Sequence, residues 1–321
     1  MLTNSFALLP ANGFIWNKNE FIQFLIANQG QQIFIDTRGE GVCLKSSGVY
    51  QLLENFGFQN VTIFTNNLLE YHSHFKIKIV SPYKCLQVTD DGYQQYHVWN
   101  KNKLFGCLYN RPLWNRIGLA AELQARYHDI SLINFRADPH DANQQQLFEI
   151  QQLFEQAPQS LEQFCRVKHK WPVQVEPVDS CVESTKFKPT NEHTDQLAEF
   201  YIEFLIDIVA ETWTLGRCFW PTEKIVRPML LKKPMIVMGS QNSLDYLHQM
   251  GFRTFNDFWD ENYDGFADGN RYIKILELID QLSKLSNSEL DDMYQKMQPI
   301  LDHNYHLLIT QTYATNINYI S

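Results

Sequence analysis

The feature that most narrows what this chain can fold into is an alternation of two periodicities. Short apolar, β-rich runs at residues 32–36, 61–65, 75–80, 104–109, 130–135 and 234–238 are separated by stretches with helical spacing at 49–56, 113–126, 144–164, 223–231, 243–250 and 271–282. Strands divided by helix-length segments are joined by crossovers rather than tight turns, which gives a parallel sheet with helices on its faces. Within 113–126 the apolar positions Ile117, Leu119, Ala120 and Leu123 recur at helical intervals, as do Tyr272, Ile275, Ile279 and Leu282 further on. Ser286-Asn287-Ser288-Glu289 has the capping-box pattern that opens a last helix. The run 199–210 reads equally as helix or strand. The expected class is α/β.

The alternation lapses between Pro82 and Lys103, where the text turns polar around Thr89-Asp90-Asp91-Gly92, and resumes after it. Two domains are therefore expected, 1–100 and 101–300, with 301–321 as a tail that returns onto the first. Residues 168–191, with three prolines, read as a loop-like insertion. A length of 321 residues suits two domains, and 44% hydrophobic against 20% charged residues supplies ample core. A net charge of −9 argues against a protein that coats nucleic acid, since neutralising phosphates takes a basic face. The most apolar stretch, 204–210, is far shorter than a membrane span and carries Asp207, and the first residues lack the basic start of a secretory signal. A soluble, cytoplasmic protein is the expectation. Its six cysteines form no CxxC pair, so neither a zinc cage nor a disulfide framework is suggested.

The densest block is Phe219-Trp220-Pro221-Thr222-Glu223-Lys224-Ile225, followed by a Leu-rich helix and Lys233-Pro234-Met235-Ile236-Val237-Met238-Gly239. It reads as a loop, a helix opened by Thr222, Glu223 and Lys224, and a strand behind it. A helix start offers free N–H groups and a positive dipole end to a phosphate, and a lysine there adds a mobile charge. Taken alone, Thr222 is a commonplace N-cap and Glu223 a dipole partner.

The block resembles the α-1,3-fucosyltransferase family, whose signature is Tyr-x-Thr-Glu-Lys ahead of a Val-Pro-Val-Val strand. About ten residues before it the family carries Glu-Asn-Ser, where this chain has Glu211-Thr212-Trp213. Upstream, the family opens its C-terminal domain with a strand, Ser-Asn, an arginine and an amphipathic helix. Leu108-Tyr109-Asn110-Arg111-Pro112-Leu113-Trp114-Asn115-Arg116-Ile117 is similar to that pattern. The stretch from Leu244 to Asp264 is similar to fucosyltransferase-like proteins of viruses and marine microbes, and the likeness as a whole covers about residues 104–305.

The resemblance implies a GT-B fold, two Rossmann-like domains with a cleft between them. The first would take the acceptor and the second the nucleotide sugar. It also implies transfer of a hexosyl or fucosyl group from a nucleotide-diphosphate sugar, GDP-linked in the family, to a glycan hydroxyl. No metal and no further cofactor are then required; from charge and hydropathy, no nucleic-acid partner and no membrane span are expected. Carried over by position, Arg116 and Lys224 contact the donor diphosphate, Glu223 contacts ribose and Trp220 takes the tyrosine place. Asn110, Glu211, Thr212 and Thr222 complete the donor-binding set. Thr212 stands where the family has asparagine, and the spacing from Glu211 to Glu223 is longer.

Inversion needs a carboxylate facing the donor from the N-terminal domain to take the acceptor proton. The candidates are Asp36, at a strand end, and Glu40, between two glycines, with Asn66, Asn67 and Glu70 as acceptor-side lining. A retaining enzyme of the same architecture and a catalytically inactive nucleotide-sugar or glycan-binding module are the alternatives. A third is a metal-dependent hydrolase using His72, His74 and the acidic stretches. Asp260-x-Asn262-x-Asp264 opens like a calcium loop but reaches Arg271 where a bidentate glutamate belongs, so a capping turn is expected. Residues 136–141 follow a strand end and read as a turn.

Overall fold

The structure, a computed structural model, describes residues 4–11, 14–38, 41–80, 86, 88, 92–135, 144–173 and 197–313. Its N-terminal part runs β1 (Ser5–Ala7), β2 (Pro10–Ala11), β3 (Phe14–Ile15), α1 (Lys18–Ala27), β4 (Ile33–Thr37), α2 (Val49–Asn55), β5 (Val61–Thr65) and β6 (Lys76–Ile79). Strands β1, β4, β5 and β6 form one parallel sheet in that order, and β2 pairs antiparallel with β3. On β4, Ile33, Ile35 and Thr37 are buried while the residues between are half-buried, the period-two pattern of a strand with one core face. That core takes Phe21 and Leu25 from α1 and Val49, Tyr50 and Leu53 from α2.

The second part runs β7 (Lys103–Tyr109), α3 (Trp114–Arg126), β8 (Ser131–Phe135), α4 (Gln144–Gln156), α5 (Leu161–Val167), α6 (Ala198–Tyr201), β9 (Phe204–Ala210), α7 (Glu223–Leu230), β10 (Met235–Met238), α8 (Ser243–Gln249), α9 (Asp268–Leu282) and α10 (Asn287–Thr310). Its parallel sheet has the order β8-β7-β9-β10. Every residue of β9 is buried, so the run that read equally as helix or strand is an interior strand, preceded by the short α6. The order reverses at the centre: β8 lies on one side of β7, and β9, with β10 beyond it, on the other. Connections leaving these neighbours diverge, which opens a crevice at their carboxyl ends, where open α/β sheets bind ligands.

Most elements fall where periodicity puts them, but β1 and α1 escape it. β1 has three residues and no buried position, and α1 buries only Phe21 and Leu25. The two parts also interlock across the expected boundary. Leu68, Leu69, Leu86, Val88 and Tyr93 pack into the core of the second sheet, while Trp213 and Cys218 pack into that of the first. The expected tail is different too. Residues 301–310 are the last turns of α10, with Leu301, Tyr305 and Leu308 in the second core. Ser286 and Glu289 form the capping box that opens this helix. No helix among the described residues is long and apolar enough to cross a membrane.

Candidate functional site

Two helix starts meet where the strand order reverses. β7 ends at Tyr109, and Asn110 leads toward α3, whose first turn carries Asn115 and Arg116. β9 ends at Ala210, and Glu211 begins the loop to α7, whose first turn carries Glu223 and Lys224. A cleft with about 120 Å³ of free volume, partly open to solvent, is lined by Asn110, Arg116, Asn134, Asp207, Glu223, Lys224 and Arg227 with residues of β7 and β9. Arg116 and Lys224, 108 positions apart in the sequence, thus share one cavity.

Arg116 is 2% exposed and is held by neutral oxygens: its Nε donates to Ala210 O at 3.1 Å and a terminal nitrogen to Thr212 Oγ1 at 3.3 Å. Burial lowers its pKa, with the Glu211 and Glu223 carboxylates opposing; an arginine so placed stays charged. The side chain of Asn115 donates to Glu211 O at 3.1 Å and ties the two loops together.

Thr222 is the N-cap of α7, its Oγ1 accepting from Lys224 N at 3.3 Å. The same hydroxyl lies 2.7 and 2.8 Å from the Glu211 carboxylate oxygens, one of which also accepts from Thr222 N. Lys224 Nζ donates to Glu223 Oε1 at 2.7 Å and stands 3.8 Å from Glu211 Oε2. Burial raises the Glu211 carboxyl against the pull of Lys224. Burial acts upward on Glu223 as well, but Lys224 and Arg227 outweigh it and take its pKa down to about 2.

The backbone contributes less than the sequence suggests. Lys224 N is occupied by Thr222, Trp114 N by Glu149, and Arg116 N by the Asn115 side chain. Positive charge in the cleft therefore comes from side chains more than from free helix-start N–H groups.

Three lining residues were not singled out by sequence. Arg227 sits one turn beyond Lys224 and is 8% exposed. Asp207, 4% exposed, accepts from Tyr201 OH at 2.5 Å, and burial lifts its pKa to about 6. Asn134, near the end of β8, donates to Tyr109 O at 3.3 Å. Two of these had a visible signal: a lone carboxylate in an apolar run, and a cation at i+3 from Lys224.

Trp220 lies beside the cleft, in a much smaller hollow of about 20 Å³ that it lines with Glu211, Trp213, Phe219 and Ser240. Its ring backs onto the N-terminal part: a Cβ at Gly41 would lie 2.6 Å from Trp220 Cβ, so only glycine fits there. Asn67 fastens the same loop. Its Nδ2 donates to Arg217 O at 3.0 Å, and its Oδ1 accepts from Phe219 N at 2.9 Å and Leu69 N at 3.1 Å. Glu70, expected beside an acceptor, is instead buried and accepts from Tyr50 OH, Leu44 N and Asn67.

Asp36 is not among the residues lining the cleft. It is chelated by Arg38 at 2.9 and 2.5 Å, which holds its pKa below the usual carboxylate value and makes it a weaker base. Glu40 and residues 136–141 lie outside the described residues. In the acidic stretch, Asp264 caps α8 by accepting from Leu244 N at 2.7 Å, and Glu261 accepts from Thr254 and Phe255 N. Those carboxylates are structural, and the described residues hold no cluster of three metal-ligating side chains. In comparison with known proteins, no family model, no curated protein and no solved structure matches this chain.

Proposed function

We propose that the protein is a glycosyltransferase of GT-B type that moves a sugar from a nucleotide-diphosphate donor to a hydroxyl acceptor with inversion. The observation that carries this reading is the convergence of Arg116 and Lys224 on one cleft at the carboxyl ends of β7 and β9. In the transfer, the bond from the sugar's anomeric carbon to the diphosphate oxygen breaks and its electron pair stays with the diphosphate. The acceptor oxygen bonds to that carbon as its proton passes to a base. Charge therefore grows on the leaving diphosphate, and fixed cations aimed at it lower the barrier. Arg116, held by carbonyl and hydroxyl oxygens rather than by a carboxylate, keeps its charge available for that task. Lys224 can turn from Glu223 to a phosphate, and Glu223, ionised with its pKa at about 2, can accept from ribose hydroxyls.

The test is thermal stabilisation by a panel of nucleoside diphosphates and nucleotide sugars, followed by assay of the best donor with glycan acceptors. A true ligand raises the melting temperature by mass action. Stabilisation by nucleoside diphosphates together with release of nucleoside diphosphate on adding acceptor supports transfer. Stabilisation without turnover points to the binding module, and no stabilisation refutes the reading.

A further inference from the structure

We propose that Arg227 binds the second phosphate of a diphosphate-bearing substrate and makes the cleft prefer diphosphates to single phosphates; this rests on the reading of the cleft as a nucleotide-sugar site. Arg227 lines the cleft and is more than nine-tenths buried. Its Nε is fully buried without a partner, and among the described residues its guanidinium makes no hydrogen bond or ion pair. Tyr201, Asp207, Glu223 and Glu211 act on it through space without a hydrogen bond, and together they outweigh its burial and keep it charged.

Nearby carboxylates support the charge, but a buried donor left without an acceptor is unfavourable, and this chain gives its other interior arginines protein acceptors. Arg271 donates from Nε to Phe266 O at 3.0 Å and from a terminal nitrogen to Gly239 O, and Arg116 donates to Ala210 O. Those two each keep protein acceptors, whereas among the described residues none accepts from Arg227. Asp207, a carboxylate lining the same cleft, takes its hydrogen bond from Tyr201 OH rather than from Arg227. An arginine fork with free donors matches the paired oxygens of a phosphate.

Position supplies the second phosphate. Lys224 and Arg227 are three residues apart on α7, so they lie on one helix face about 4.5 Å apart along its axis. With Arg116 across the cleft from α3, a single phosphate is within the means of Arg116 and Lys224. Arg227 then has work only if a second phosphate extends along the α7 wall.

Calorimetric titration with inorganic pyrophosphate and inorganic phosphate, at one pH and ionic strength, tests this without reference to any sugar or base. Wild-type protein is expected to bind pyrophosphate at least about tenfold more tightly than phosphate. Arg227→Gln should remove most of that preference, weakening pyrophosphate about tenfold while leaving phosphate within about threefold. Should Arg227→Gln fail to fold, Arg227→Lys carries the test, with a smaller but still selective loss for pyrophosphate. A parallel loss for both anions, an unchanged preference in a folded variant, or a wild-type protein indifferent to pyrophosphate overturns the assignment. Selective loss in a protein that transfers no sugar leaves Arg227 standing and removes the transferase reading. Sugar transfer with an unaltered preference in Arg227→Gln does the reverse.

Discussion

The hydroxyl of Thr222 lies 2.7 and 2.8 Å from the two carboxylate oxygens of Glu211 and also accepts from the backbone N–H of Lys224. One small side chain thus caps α7, satisfies a buried carboxylate and fixes the base of the lysine assigned to the diphosphate. Thr222→Ala is expected to cost about 1–2 kcal/mol, the usual loss of an N-cap, and Thr222→Ser to recover most of it. Urea unfolding of the three proteins measures both. A loss in Ala that Ser does not restore would mean that the methyl group, not the hydroxyl, matters.

Asn67 joins the two parts by accepting from Phe219 N and Leu69 N and donating to Arg217 O. It is fully buried, so Asn67→Ala orphans two backbone N–H groups that water cannot reach. Unsatisfied buried donors cost about 1–3 kcal/mol each, and the expected destabilisation is about 2–4 kcal/mol. Denaturant midpoints check it; a change below about 0.5 kcal/mol would show that the clasp is not holding the loop.

The buried Asp207 gives a signed dependence on pH. Its carboxyl has a pKa of about 6 in the folded protein against 3.8 ordinarily, because burial disfavours the charged form. Between those values the folded state binds a proton that the unfolded chain has released, so this group's contribution to stability falls as pH rises through the window and is flat above it. Glu223 acts in the opposite sense: its pKa is lowered from 4.5 to about 2, so its contribution is lost only as pH falls below 4.5. Stability of wild type minus that of Asp207→Asn, followed from pH 4.5 to 6.5, should therefore decline and then level off. A difference that rises or stays constant contradicts the account.

Most of the fold was legible because β7 and β10 are buried strands whose apolar runs announce themselves, and because α3, α7 and α9 bury one periodic face or more; β9, buried throughout, left helix and strand equally open. β1 was not legible, since three residues with no buried position leave no alternation to detect. The interlock was hidden for a different reason: Trp213 and Cys218 enter the first core from a loop of the second part, and nothing in local periodicity reports which core a loop residue joins. Arg116 and Lys224, which line one cleft, were singled out through motif order. Arg227 and Asp207 carried only the faint signals of spacing and of a carboxylate in an apolar run, and what sets them apart, burial without an ion pair among the described residues, is a property of the folded neighbourhood.

The central claim is that Arg116 and Lys224 hold one diphosphate between them, and a double-mutant cycle measures that most directly. Affinity for the best-stabilising nucleoside diphosphate would be determined by calorimetry for wild type, Arg116→Gln, Lys224→Met and the double variant, with circular dichroism confirming the fold of each. Each single change is expected to weaken binding about tenfold or more, and the double variant less than the product of the two, because removing either cation already releases the shared ligand. Strictly multiplicative losses, or a Lys224→Met protein that binds as tightly as wild type, would contradict a common diphosphate seat.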